Sequence, residues 1–240
     1  MNSIDFLKNP LIAHRGLHDI EKGVPENSIE AFENAINKGY IIELDVHITK
    51  ERKVIVFHDD NLFRMCGINK KIKYMTYDEI KKYNLLNTNS YIPTFEEVLD
   101  LIDGKVPLLI EIKYDNKVGL LEKEIIKLLD KYNGKYAIQS FNPLSILWFK
   151  LYKKDVIRGQ LVSKFTNSKM NKIKKFFLSH MLLNFLTKPN FISYDVKDAK
   201  IKEIDNIKKK RLVLGWTVTT TSDYDKYCRL YDNLICEKFI

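Results

Sequence analysis

Glu43, Asp45 and His58 fall within one short stretch, residues 41–59 (IIELDVHITKERKVIVFHD), and their spacing suits chemistry assisted by a metal ion. Apolar residues run into Glu43 and Asp45, and side chains two apart on a strand face the same way, so both carboxylates point to one side. The chain turns around 50–53 and returns through Val54, Ile55, Val56 and Phe57 to His58 and Asp59. That link is shorter than the roughly dozen residues a parallel crossover needs, so the return strand is antiparallel. Counting back from a turn centred near Glu51 and Arg52 sets His58 roughly opposite Leu44 and Asp45. A second strand carries Glu111, with Lys113 two residues on. Three carboxylates from two strands, Glu43, Asp45 and Glu111, make a hard oxygen cage for one divalent cation, Mg2+ or Ca2+, rather than zinc. Such an ion polarises a phosphoryl oxygen and offsets developing negative charge. Arg15 adds a planar donor fork for phosphate oxygens and Lys113 a point charge. His14 and His58 belong to the one side-chain type that both accepts and donates a proton near neutrality. Together these residues suit phosphoryl transfer.

The elements that would position them alternate along the chain. Leu11, Ile12 and Ala13 form a short apolar run ending in His14-Arg15-Gly16, a strand that finishes in a loop. Ile29, Phe32, Ala35 and Ile36 then recur at helical spacing, with Ser28 as N-cap and Gly39 as stop. Setting aside the hairpin's return strand leaves eight strands: 11–14, 41–46, 106–112, 136–140, 156–162, 191–195, 212–217 and 233–236. Helices fall between them, at 120–132, 143–152, 201–210 and 222–231 among others. Eight alternating units close into a parallel (β/α)8 barrel of the TIM type, which typically takes about 250 residues against the 240 here. The expected organisation is one barrel domain over 1–240. It carries an insertion over the barrel mouth at about 60–92 and a basic and apolar excursion at about 163–190. Thr76 with Glu79, and Thr94 with Glu97, read as capping boxes that open helices. His14, Asp45, Glu111, Lys113, Ser140, Asp195 and Trp216 gather at the C-terminal strand ends, the face where such barrels carry their sites.

Composition narrows the class. The chain is 45% hydrophobic, 12% aromatic and 30% charged, as an ordered soluble protein is. Three cysteines, Cys66, Cys228 and Cys236, have no CxxC spacing, which argues against a disulfide framework or a zinc site. The first residues hold Asp5 and lack the pattern of a signal peptide, and no run reaches the roughly 18 apolar residues of a membrane span. A cytoplasmic location with reduced thiols is expected. The net charge of +9 is concentrated: residues 163–190 carry six lysines and no acid, and residues 197–211 carry seven basic against three acidic residues. No nucleic-acid recognition motif accompanies either patch, so a solvated lysine surface is preferred to a nucleic-acid footprint.

Several segments taken in order resemble a glycerophosphodiester phosphodiesterase: His14-Arg15-Gly16; Pro25-Glu26-Asn27-Ser28 with Ala31-Phe32; Ile42-Glu43-Leu44-Asp45-Val46; Thr49-Lys50; His58-Asp59 with Leu62 and Arg64; Ile92-Pro93-Thr94-Phe95-Glu96-Glu97-Val98; Ile110-Glu111-Ile112-Lys113; Ser140-Phe141; and Trp216-Thr217-Val218. The ordered set spans nearly the whole chain. The resemblance implies a TIM barrel that hydrolyses glycerophosphodiesters, the deacylated phospholipids, to sn-glycerol 3-phosphate and an alcohol. By it Glu43, Asp45 and Glu111 hold the metal. His14 and His58 act as base and acid while the neighbouring glycerol hydroxyl attacks phosphorus, giving a cyclic phosphate that water opens. Arg15 and Lys113 bind phosphate, Glu26 and Asn27 order the first loop, and Trp216 walls the glycerol pocket. The sequence departs from the family at Thr49-Lys50-Glu51-Arg52, at Thr219, and at Cys236-Glu237-Lys238 where a threonine-aspartate is usual. The last two departures fall at the far wall of the pocket.

Two residues are read as bystanders: His18 in a polar loop and His47 beyond Asp45. The stretch 172–186, KIKKFFLSHMLLNFL, has two readings. It packs on the barrel as a helix or lid, or it lies at an anionic membrane surface with Lys172, Lys174 and Lys175 on the lipid headgroups and Phe176 and Phe177 inserted. A lysophospholipase D-type activity is the nearest enzymatic rival. A non-catalytic membrane-surface module that binds headgroups is the rival from another class, and it predicts loss of a histidine or carboxylate that this chain retains.

Overall fold

The computed structural model describes residues 3–113, 117–165 and 171–238. Lys169, one of the lysines counted above, lies outside them. Eight parallel strands close on themselves: β1 (Ile12–Ala13), β2 (Ile41–Ile48), β4 (Leu108–Ile112), β5 (Tyr136–Ser140), β6 (Ile157–Val162), β7 (Phe191–Asp195), β8 (Leu212–Val218) and β9 (Asn233–Cys236). β1 pairs with both β2 and β9 and completes the ring. The TIM-type barrel read from the sequence is therefore the fold, with strand ends that differ from the expected ones by a residue or two.

β3 (Val54–Val56) is the antiparallel return strand, and its placement organises the site. β1 covers only the lower edge of β2, pairing at Ile41 and Ile42, while β3 takes the upper part of the same edge, pairing at Val46, His47 and Ile48. The gap between them is Glu43 to Asp45. Two chains converge there: the Gly16 amide donates to the Glu43 carbonyl at 3.2 Å, and the Phe57 amide to the Asp45 carbonyl at 2.9 Å. His14 and His58 are thus delivered to the two ends of one carboxylate-bearing edge.

The barrel interior is built in layers, because inward side chains recur every second residue. Ile41, Leu109, Ala137, Ile157, Phe191, Leu214 and Ile235 fill the lower part with apolar side chains, and Leu7 plugs the base. Gly159 carries no side chain where the Phe191 ring lies. One step up the strands, the inward positions become Glu43, Glu111, Gln139 and Ser193, all buried. The floor is dry and the layer above it is polar.

The outer helices bury their apolar stripes on the strands. α1 (Ile29–Lys38) starts at Ser28, whose hydroxyl accepts from the Ala31 amide, and stops at left-handed Gly39. α4 (Phe95–Ile102) starts with the Thr94–Glu97 capping box. α5 (Leu120–Leu129) and α6 (Pro143–Tyr152) complete this side and share one core with α1 and α4. α9 (Ile201–Lys208) and α10 (Thr221–Tyr227) cover β7 and β8. The segment after β3 holds two short helices, α2 (Phe63–Cys66) and α3 (Tyr77–Ile80), the second opened by the Thr76–Glu79 box. It packs on Ile55 and Phe57 through its own small core of Leu62, Met65, Ile72, Met75, Ile80, Leu85 and Ile92. Between β6 and β7 the described residues form α7 (Lys172–Ser179) and α8 (Asn184–Thr187), two short helices. Among the described residues no helix is long and apolar enough to cross a membrane.

Candidate active site

At the C-terminal mouth of the barrel a cleft is lined by His14, Arg15, Glu43, His58, Glu111 and Lys113, with Gln139, Phe141, Leu161 and Trp216 across from them. Ligand oxygens of Glu43, Asp45 and Glu111 lie within 4.8 Å of one another, and all three residues are buried. The register explains the grouping, since Asp45 sits beside Glu111 on adjacent parallel strands.

The cations around this cluster are arranged by contact. Lys113 Nζ lies 2.8 Å from Asp45 Oδ1 and 2.6 Å from Glu111 Oε1. The Arg15 amide donates to Glu43 Oε2 at 3.0 Å, its Nη1 donates to Glu26 Oε1 at 2.7 Å, and its Nε lies 3.4 Å from Asp45 Oδ2. Asn27 donates from Nδ2 to Asp45 Oδ2 at 2.9 Å. Gly16 makes the tight first loop workable: it sits at φ +78°, and a Cβ there would come 2.9 Å from the Ala31 carbonyl carbon.

Burial alone would raise the Asp45 carboxyl, but the charge of Lys113, then those of His58 and Arg15, outweigh it and hold Asp45 well below the usual carboxylate range. Glu43 goes the other way. Burial, then the neighbouring charges of Asp45 and Glu111, push it well above its ordinary value despite Arg15 and Lys113. Three buried carboxylates against two fixed cations leave negative charge uncompensated, and an all-oxygen donor set of that kind fits a hard divalent cation. Glu43, Asp45 and Glu111 are the residues that would hold it.

Both histidines at the cleft are steered by a carboxylate at Nδ1. His58 Nδ1 lies 2.5 Å from Asp59 Oδ1, and Arg64 holds Asp59 from the other side, with Nε 2.7 Å from Oδ2. His14 Nδ1 lies 3.3 Å from Glu237 Oε2, while its Nε2 faces Glu43 Oε2 at 4.0 Å. Burial would raise Glu237, but hydrogen bonds from His14 and His18 outweigh it and keep the carboxyl low. An ionised carboxylate only accepts, so Nδ1 carries the proton in each of these contacts and Nε2 is left out of them. Burial, opposed by the Glu237 hydrogen bond, lowers His14 itself.

Every site residue expected from the sequence lies in or directly behind this cleft. Glu26 and Asn27 stand behind it: Glu26 ties Arg15 to Arg64, whose Nη2 is 2.7 Å from Glu26 Oε1, and Asn27 braces Asp45. Trp216 lies on the far wall, donating from Nε1 to the Ser193 carbonyl at 2.9 Å and packing edge-on against Phe141. His18 and His47, read as bystanders, both make contacts beside the cleft. His18 Nε2 lies 3.1 Å from the same Glu237 oxygen that His14 uses, and His47 Nε2 donates to the His58 carbonyl at 3.1 Å. Asp195 accepts from the Lys197 amide and stays outside the cluster. Sequence reasoning gave no role to Asp59, Arg64, Gln139 or Ser193, and it set Glu237 at the far wall of the pocket, whereas Glu237 lies against His14. For Glu237 a signal existed, since it directly follows the last strand, at the end where barrel chemistry sits.

The glycerophosphoryl diester phosphodiesterase family model matches residues 14–233. A glycerophosphodiester phosphodiesterase of Caldanaerobacter subterraneus subsp. tengcongensis is 36% identical over 152 residues, 58% of this chain and 61% of that relative. A human lysophospholipase D is 32% identical over 143 residues, 54% of this chain and 45% of its own length. The matched part is thus under two thirds of either relative. Among solved structures, an Oleispira antarctica phosphodiesterase in complex with the product sn-glycerol-3-phosphate shares the fold at a TM-score of 0.80 and 20% identity, over 95% of this chain and 92% of that one. With a match from the first cleft histidine to the last barrel strand, this chain belongs to the glycerophosphoryl diester phosphodiesterase family.

Proposed function

We propose that the protein hydrolyses glycerophosphodiesters to sn-glycerol 3-phosphate and an alcohol, with one divalent cation, Mg2+ or Ca2+, held by Glu43, Asp45 and Glu111. The observation that carries this reading is the pair of carboxylate-steered imidazoles, His14 and His58, at the two ends of one carboxylate-bearing edge. When bound, the cation would polarise the phosphoryl oxygens and offset the charge that builds on them.

The chain's own groups do the rest. Arg15 and Lys113 bind the phosphate oxygens, and Trp216 and Phe141 wall the glycerol. His14 Nε2 takes the proton of the glycerol hydroxyl next to the ester. That oxygen bonds to phosphorus, the bond from phosphorus to the alcohol oxygen breaks, and His58 Nε2 gives its proton to the departing alcohol. The product of this step is a cyclic phosphate. Water then opens the ring with the proton transfers reversed, which leaves sn-glycerol 3-phosphate and both histidines restored.

A second reading, cleavage of a lysophospholipid, draws on the aromatic wall where Phe141 meets both Phe165 and Trp216, and on the lysophospholipase D relative. One panel separates the readings: glycerophosphocholine, its analogue lacking the glycerol C2 hydroxyl, and lysophosphatidylcholine. Release of sn-glycerol 3-phosphate from the first alone supports the proposal. Turnover of the analogue would remove the cyclic route, and turnover of only the lysolipid would favour the second reading. No turnover of any would leave the headgroup-binding module.

Glu237→Gln keeps the shape of the residue and removes its charge from both His14 and His18. We expect a fall in kcat on the order of 10–100-fold with KM little changed, read by steady-state kinetics on glycerophosphocholine. An unchanged kcat would reduce Glu237 to packing.

A further inference from the structure

The connection between β6 and β7 carries an amphipathic helix turned outward. In α7, Ile173, Phe176 and Phe177 recur at i, i+3 and i+4 and form one apolar stripe, which a barrel helix ordinarily lays on the strands behind it. Here Ile173 is 68% exposed, Phe176 53% and Phe177 44%, and no described residue of α7 is buried. Phe185 and Leu186 in α8 are exposed as well. The barrel is closed without them. The outward residues Ile192 and Tyr194 of β7 sit in the core shared with α9 and α10, and α8 is tied to α6 by the Lys150 ammonium on the Leu186 carbonyl.

Charge identifies what covers the patch. Residues 163–190 contain six lysines and no acid, and among them Lys172 and Lys188 are exposed beside the rings. A second copy docking through this face would meet it with the same face, because a two-fold interface is isologous, and lysines would oppose lysines with no acid in the segment to pair them. An anionic lipid surface offers the opposite charge together with an apolar layer that accepts phenylalanine side chains. We propose that α7 and α8 form a docking surface for anionic bilayers, with Ile173, Phe176, Phe177 and Phe185 entering the boundary between headgroups and acyl chains and the lysines contacting the headgroups. The same connection starts at the cleft, where Phe165 packs edge-on against Phe141 with ring centroids 5.6 Å apart.

The test is co-sedimentation of the full chain with vesicles of phosphatidylcholine alone or with about one third phosphatidylglycerol. The expected result is binding to the anionic vesicles only, weakened about tenfold when salt is raised from low to physiological strength and beyond. Combining Phe176→Ser, Phe177→Ser and Phe185→Ser is expected to lower partitioning at least about tenfold. Lys172→Glu with Lys175→Glu should do the same, and both variants should turn over water-soluble glycerophosphocholine as wild type does. Equal binding to both vesicle types, no binding to either, or full binding by the phenylalanine variant would overturn the proposal. A dimer in sedimentation equilibrium that the phenylalanine variant dissolves would assign the patch to a second copy instead.

Discussion

Asp45→Asn is expected to abolish turnover and to cost about 2–3 kcal/mol of stability, whereas Glu43→Gln abolishes turnover and stays within about 1 kcal/mol of wild type. The two carboxylates are two residues apart and face the same cleft, yet their surroundings push them in opposite directions. Asp45 is the shared anion of Lys113 and Arg15 and is braced by Asn27. Removing its charge weakens two buried ion pairs. The cost stays below that of a fully uncompensated buried charge because Lys113 keeps Glu111 and Arg15 keeps Glu26. Since the folded-state pKa of Asp45 is depressed, its contribution is complete at neutral pH and fades only as pH falls through and below the ordinary carboxylate range. Burial and the charges of Asp45 and Glu111 oppose ionisation of Glu43, so the neutral isostere relieves repulsion while removing a proposed metal ligand. Urea unfolding at neutral pH beside product release checks both. An Asp45→Asn protein as stable as wild type, or a Glu43→Gln protein less stable than Asp45→Asn, would contradict this account of the charges.

His14→Ala and His58→Ala are each expected to lower kcat by about 10²–10⁴-fold, the usual span for one positioned acid or base. In the proposed mechanism the two share one proton cycle, so the double variant should fall well short of the product of the single losses. Neither ring is part of an apolar core cluster, and unfolding midpoints should move little. Steady-state product release from glycerophosphocholine measures the loss. Near-wild-type turnover by either variant would remove that residue from the proton cycle.

Much of this was readable from residues alone, and the reasons are local. The strands announced themselves because each is a short apolar run broken by turn or helix signals, and the count of eight followed. His58 could be placed beside Asp45 because a hairpin of known turn fixes its own register, as the Val46–Val56 pairing bears out. Contacts across the chain were out of reach. Glu237 meets His14 and His18 only once β9 closes against β1, across more than two hundred residues of sequence. The sequence set lysines beside Phe176 and Phe177 but could not say which way the rings face, because that depends on what α9 and α10 already cover. Nor could it show that β1 and β3 share one edge of β2, which depends on where β1 stops.

The central claim is a phosphodiesterase that needs a divalent cation at Glu43, Asp45 and Glu111. The direct measurement is sn-glycerol 3-phosphate release from glycerophosphocholine by metal-stripped protein, with Mg2+ or Ca2+ added back and with chelator present, beside His14→Ala. The account predicts release that appears with added metal, stops with chelator and is lost in the variant. Release that persists undiminished in chelator, or none with either metal, would contradict it.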